Sequence, residues 1–364
     1  MLKGNAAGLT RIVVGPVHAG IIEPGRFTFT SAGETITALD VQLGFSHRGV
    51  IQRLVGSNAL NAARAVARIC GACSASRSWT YARALEELAG VKLEEPVELA
   101  RLVIAELERL YNHIFDLASA CAGAGYQRGQ MDGLRLKERI HRLCAQHLGH
   151  RLLFDTIVPG GARPSILSNA PHLQREVESL RAEIEAYLRS LFRTSSLINR
   201  FDGAGRVPRL AAESLDAVGP SLRASSGTAD ERSDAPYGAY AWLRPTVATE
   251  REGDVYARIR VKATEARESL RLIDAGLDGL AMMIIPEVVP LDGMSGRTVA
   301  ASEGPRGSES MTVAIEEDRI VQIGMISASA RNWPVVIRAM EGNIIPDFPL
   351  VNKSFNLCYA CADL

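Results

Sequence analysis

The chain has 364 residues, enough to bury a sizeable core, and its 41 basic and 41 acidic residues cancel. With no net charge and only 5% aromatic residues it shows neither the clustered basic surface nor the stacking platform of a nucleic-acid-binding protein. No run reaches about 18 apolar residues and Met1–Thr10 lacks a secretory pattern, so the expected place is the cytoplasm, or the cytoplasmic face of the inner membrane through partner subunits.

Short β-prone runs at Arg11–Val14, Arg26–Thr30 and Thr35–Val41, separated by Gly and Pro, predict strands. From about Leu60 the period becomes helical. Leu99, Leu102, Val103, Leu107, Leu110, Ile114 and Leu117 recur mostly at spacings of three and four, which predicts one long amphipathic helix opened by Pro96. That stripe reads as core or subunit interface. Further helices are predicted over Gly133–Phe154, stopped by Pro159-Gly160-Gly161, over Leu173–Leu197 and over Gly253–Met283. Residues 203–253, rich in Gly, Ser, Ala, Asp and Pro, read as irregular but ordered chain. Strands are predicted between Thr298 and Ile326, clearest at Thr312–Glu316 and Arg319–Ile323. A short helix near Trp333–Met340 and an extended tail follow. The fold class is α+β, mainly α: a central helical bundle with small β elements at the N-terminus and before the C-terminus, read as one domain over 1–364.

Of the six cysteines, Cys70 and Cys73 form one Cys-x-x-Cys pair, and Cys358 and Cys361 form another. A two-residue spacer turns both sulfurs toward one metal, and in a cytosolic chain such cysteines point to metal or redox use rather than disulfides. Spacing alone leaves three readings open: a zinc held by four thiolates, a redox pair, and a softer transition-metal centre. Cys121 and Cys144 have no paired partner and read as small buried hydrophobes.

The flanking residues carry more. Arg68-Ile-Cys-Gly-Ala-Cys resembles the first metal-binding motif of NiFe hydrogenase large subunits, and Ser354-Phe-Asn-Leu-Cys-Tyr-Ala-Cys resembles their second. Gly15-Pro-Val-His-Ala-Gly-Ile-Ile-Glu-Pro-Gly-Arg-Phe and Gly44-Phe-Ser-His-Arg-Gly look like N-terminal motifs of the membrane-associated, complex I-related hydrogenases. Leu107-Glu-Arg-Leu-Tyr-Asn-His, Val158-Pro-Gly-Gly, Ala217-Val-Gly-Pro with Arg223-Ala-Ser, Gly253-Asp-Val-Tyr-Ala-Arg and Glu303-Gly-Pro-Arg-Gly continue the likeness in order, and the group is similar to the complex I 49 kDa subunit.

The resemblance implies a catalytic subunit that cleaves hydrogen heterolytically or reduces protons, with H2 and protons as substrates. Cys70 and Cys358 would bind nickel terminally, and Cys73 and Cys361 would bridge it to an iron bearing CO and cyanide. The terminal thiolate of Cys358 would serve as the nearby base and Glu23 would receive the proton, while Arg306 would polarise or position, since a guanidinium cannot easily act as a base. The implied partners are an iron–sulfur small subunit, because no spare cysteine cluster remains for electron transfer, and other subunits of a membrane-associated complex. His18 and His47 read first as structural residues, with proton or partner coupling second.

The sequence also departs from the family pattern. Asn356-Leu357 replaces the Asp-Pro before the last pair, Arg77 replaces a His, and Arg26 stands where the family has the His of an E-P-G-H-F motif. Ile51 and Leu364 replace a Glu and a terminal His or Arg that help bind a separate Mg or Fe ion, so no Mg site is expected. Leu364 stands where maturation cleavage normally falls, and the expectation is a gene without an extension. These changes keep a second reading open: a complex I-like structural or hydrogen-sensing subunit whose metal site is modified or vestigial.

Overall fold

The computed structural model describes residues 3–4, 8–18, 23–163, 170–281, 283–284 and 286–364. Residues 19–22, inside the first N-terminal motif, lie outside that set, as do residues 1–2 and 5–7 of the segment that was read for a signal.

The N-terminal sheet is an antiparallel meander of β1 (Leu9–Val14), β2 (Arg26–Ala32) and β3 (Thr35–Gln42), with Lys3–Gly4 pairing on the outer edge of β1. Its register places Phe27 opposite Val14 and Val41. Phe27 and Phe29 share one face, two residues apart, and both are buried. Their rings lie 4.7 and 5.0 Å from that of Phe348, which fastens this sheet to the C-terminal region.

Five helices build the body: α1 (Val50–Leu54), α2 (Ala59–Val66), α3 (Ser74–Ala89), α4 (Glu95–Gly123) and α5 (Gln127–Leu148). After them come α6 (Ala170–Leu191), α7 (Ser195–Phe201) and α8 (Val255–Leu280). Pro96 in the first turn and Glu95 and Glu98 near the positive end suit the start of α4. Asp254 caps α8 by accepting from the Ala257 N–H at 2.8 Å. Each member of the predicted apolar stripe on α4 is at most 2% exposed, so the stripe is core. α4 lies between α8 and α5 and is buried on nearly every side, which is why polar residues such as Glu108, Asn112 and Asp116 are enclosed as well.

Three boundaries differ from the sequence reading. The helix predicted to end at Phe154 stops at Leu148, because Gly149 adopts φ 77° and turns the chain away. The helix predicted through Leu197 breaks after Leu191 and resumes at Ser195. The tail read as extended is helical: α10 (Phe348–Phe355) and α11 (Tyr359–Asp363) follow α9 (Ala328–Met340). Pro349 lies in the first turn of α10, where a missing N–H costs nothing. Residues 203–253 carry short helical turns at Arg209–Ser214, Pro220–Arg223 and Glu231–Asp234, linked by irregular chain. A second meander, β4 (Gly296–Gly304), β5 (Gly307–Glu316) and β6 (Arg319–Ile326), precedes α9. Among the described residues no helix is long and apolar enough to cross a membrane.

Candidate metal centre

Two tight turns bring the cysteine pairs together from opposite ends of the chain. Cys70 lies just before α3 and Cys73 caps its start, with the Cys73 N–H donating to the Cys70 carbonyl at 3.3 Å. The free N–H groups at this helix start are taken by a carboxylate of α4. Ala75 and Ser76 donate from their backbone to Glu108 at 2.6 and 3.0 Å, and the Ser76 hydroxyl adds a bond of 2.7 Å. Cys358 caps α11 and Cys361 sits within it; the Cys358 N–H donates to Ser329 Oγ at 3.0 Å, and Ser327 Oγ donates to the Cys361 carbonyl at 2.7 Å.

The Cys70 and Cys358 sulfurs are 3.2 Å apart, and Cys70, Cys358 and Cys361 lie within 4.8 Å of one another. Cys73 joins the same buried cluster. Hydrogen bonds from Cys358, Cys70 and Cys73, helped by the charge of Arg77, hold the Cys361 thiol well below its ordinary range. Sharing that single thiolate keeps the protons on Cys70, Cys73 and Cys358, whose values rise. Four convergent sulfurs form a donor set suited to a soft transition metal.

Two guanidinium groups face the sulfurs. Arg306 sits in the two-residue turn of the β4–β5 hairpin and points Nη1 at Cys73 Sγ, 3.7 Å away. Its Nε donates to the Asn356 carbonyl at 2.5 Å and its Nη1 to Asn112 Oδ1 at 3.2 Å. The turn is held by backbone packing against Gly219: a Cβ there would meet the Arg306 carbonyl oxygen at 2.4 Å, so only glycine fits. Burial disfavours the Arg306 charge, but the neighbouring Cys73 and Asp116 outweigh it and leave the guanidinium firmly protonated.

Arg77, read from sequence as a loss, is a donor here. Its Nη2 reaches Cys361 Sγ at 3.3 Å and pairs with Glu309 at 3.2 Å, and both side chains are buried. Arg77 Nε and Nη1 make no hydrogen bond, although both are buried. A small cavity beside Cys73 and Cys361 is lined by Arg77, Arg306, Ser327 and Ser329. The two unpaired Arg77 nitrogens are the free donors at this edge of the cluster.

Glu23 stands on the other side of the cluster. Its Oε2 accepts from the Ala360 N–H at 2.9 Å and lies 3.9 Å from Cys358 Sγ. A cleft of about 470 Å³, lined by Glu23, Phe45, His47, Arg48 and Cys70 among others, reaches this edge. His47 Nδ1 is 2.6 Å from the Asp363 carbonyl, and the Asp363 carboxylate accepts from Gly44 and Ser46 at 2.8 and 2.7 Å. The Gly44–Gly49 motif therefore binds the end of α11. His18 stacks on Phe27 with 6.0 Å between ring centres and takes no part in the sulfur cluster.

Asn356 ends α10 at φ 52°, a left-handed conformation that asparagine tolerates well. Its side-chain amide donates to Asp116, which also accepts from Lys262 at 2.6 Å and lies 4.0 Å from Arg306. The carboxylate lost at position 356 thus has a neighbour on α4. Sequence reading missed Glu108, Asn112 and Asp116, although their four-residue spacing marks a second, polar face on the helix whose apolar stripe it found. Ile51 and Leu364 belong to one apolar cluster with Leu54, Val66 and Ile320, and neither offers an oxygen or nitrogen side-chain ligand. Cys121 and Cys144 are fully buried; burial pushes the Cys121 thiol up to about 12.

Residues 124–291 match the family described as the respiratory-chain NADH dehydrogenase 49 Kd subunit. The chain is 29% identical over 365 residues to formate hydrogenlyase subunit 5 of Escherichia coli, covering 97% of this chain and 62% of that one. It is also 29% identical to the membrane-bound hydrogenase subunit alpha of Pyrococcus furiosus, over 97% of this chain and 87% of that one. The chain is thus similar both to the complex I 49 kDa subunit and to membrane-bound hydrogenase large subunits. A chain of the membrane-bound sulfane sulfur reductase, an archaeal respiratory membrane complex, shares the fold at a TM-score of 0.91, with 21% identity and full coverage of both chains. The present chain spans 62% of the length of the Escherichia coli subunit.

Proposed function

We propose that this chain is the catalytic large subunit of a NiFe hydrogenase, with Cys70, Cys73, Cys358 and Cys361 holding a nickel–iron centre whose iron carries CO and cyanide. The observation that carries the reading is the convergence of four sulfurs from the two chain ends into a buried pocket faced by two guanidinium groups. A structural zinc held by four thiolates needs neither the donor-lined cavity beside Cys73 and Cys361 nor a carboxylate at Cys358. When bound, the centre supplies heterolytic cleavage of H2 or its reverse.

The protein's part is to hold, polarise and move protons. Cys70, Cys73, Cys358 and Cys361 would hold the centre through their four sulfurs. Arg306 and Arg77 offset the accumulated thiolate charge in a site shielded from water. Glu23, 3.9 Å from Cys358 Sγ, is placed to exchange a proton with that sulfur and to hand it to the cleft that Glu23 itself lines. Electrons would pass to an iron–sulfur small subunit, since no spare cysteine cluster remains in this sequence, and further subunits would attach the assembly to a membrane, as the name of the Pyrococcus furiosus relative suggests. No Mg site is proposed, since Ile51 and Leu364 occupy those positions with apolar side chains.

The second reading, a complex I-like structural or hydrogen-sensing subunit, is favoured by Asn356 and by the match to the 49 Kd family. One experiment separates the two. The complex is purified from its native host and its infrared spectrum recorded with and without hydrogen, alongside nickel analysis. Metal-bound CO and cyanide bands that shift under hydrogen support the hydrogenase reading. An assembled complex without bands or nickel leaves the scaffold reading.

A further inference from the structure

Far along the chain from the cysteine motifs, the end of α5 and the start of α6 place two histidines around one carboxylate. His172 and Glu176 are four residues apart on α6, and their side chains meet at 2.7 Å between Nε2 and Oε1. The same Oε1 accepts from Gln146 Nε2 at 3.2 Å, which fixes the plane of the carboxylate. The other oxygen, Oε2, faces His147 Nε2 at 3.4 Å. That nitrogen is buried with no hydrogen-bond partner, on a residue only 5% exposed. The two imidazole rings meet edge to face at 5.3 Å.

A buried nitrogen aimed at a carboxylate oxygen without a hydrogen bond is the arrangement a cation would satisfy. Ligands of a tetrahedral zinc at about 2.0–2.1 Å stand roughly 3.3–3.4 Å apart, close to the His147–Glu176 separation. One nitrogen from each histidine and one carboxylate oxygen lie within 4.8 Å of one another, so closing the set needs only side-chain rotation. His172 is partly exposed, which leaves the fourth position to water.

We propose that His147, His172 and Glu176 form a second metal site, for a borderline divalent ion such as Zn2+ or Ni2+, with a water as fourth ligand. Imidazole and carboxylate ligands without sulfur suit such ions. A bound ion would tie the end of α5 to the start of α6. It is independent of the thiolate centre.

The test uses Co2+ as the probe on the full chain with its partners, comparing the native protein with His172→Ala and Glu176→Gln. Both positions are partly exposed, so these variants keep the packing of α6. The native protein should bind one equivalent whose visible bands lack sulfur-to-cobalt charge transfer, and both variants should lose that equivalent alone. Zn2+ should raise the melting temperature of the native protein and not of the variants. If native and variant proteins bind the same number of equivalents, all with charge transfer, the three residues are a hydrogen-bonded cluster and the proposal is overturned.

Discussion

Asp116 offers the sharpest test of how the site is held. It and Lys262 are 0% and 2% exposed and bond at 2.6 Å, while the same carboxylate receives the Asn356 amide and lies beside Arg306. Replacing Asp116 by Ala leaves an ammonium buried without its counter-charge, and breaking a buried pair in this way costs about 3–5 kcal/mol. Lys262 keeps bonds to the Ser354 and Phe355 carbonyls at 2.8 and 3.2 Å, which places the loss toward the lower part of that range. Removing both charges in Asp116→Ala/Lys262→Met should recover about 2 kcal/mol as coupling. The assay is urea unfolding at constant m-value. Burial already lowers the Lys262 pKa, and Asp116 opposes that shift. Without Asp116 the value falls further, so the variant's pH dependence deepens, with the same definite sign. Its unfolded state binds a proton that its folded state refuses. Stability is therefore lost as pH falls from the ordinary lysine value of about 10.4 toward the depressed folded value. A single-variant loss below about 1 kcal/mol, or strict additivity in the double variant, would refute the view that this pair carries an isolated buried charge.

Glu23→Gln keeps an acceptor for the Ala360 N–H but removes the transferable proton. Hydrogen–deuterium exchange by the assembled complex should drop about a hundredfold or more with infrared bands in place. An unchanged rate removes Glu23 from the proton path. Arg77→Met with Glu309→Gln withdraws the donor at Cys361 without stranding a buried charge. Nickel retained after dialysis should fall about tenfold or more, and retention at the native level would show that the guanidinium does not support the thiolates. Glu303 is pushed up to about 7 by burial and by the charge of Asp230, against the pull of Arg223. A carboxyl raised in the folded state loses stability as pH climbs through the folded value. The native protein should therefore weaken between pH 4.5 and about 7 relative to Glu303→Gln, as followed by melting temperature, and parallel curves for the two would contradict this.

Much of the fold was legible because local signals agree with their tertiary setting. The short β-prone runs became β1, β2 and β3 within a few residues, and the stripe from Leu99 to Leu117 became the centre of the bundle. Errors fell where a local signal was weak. Gly149 stopped a helix earlier than the Pro-Gly-Gly cluster suggested, and the tail carrying Pro346 and Pro349 read as extended although Pro349 falls in the first turn of a helix.

By itself the sequence determined the two cysteine pairs, their family likeness, and the apolar patterns that build the elements. These depend on residue type and short spacing, which a linear chain displays. Only the tertiary structure decided what surrounds the sulfurs. Cys70 and Cys358 are separated by most of the chain, yet their sulfurs stand 3.2 Å apart once β2, α4 and α10 are packed together. The donor role of Arg77, the carboxylate of Asp116 beside Asn356 and the pairing of His147 with Glu176 arise the same way. Charge and hydrogen bonding act over a few ångströms through space, and position along the chain fixes such distances only after the chain has folded.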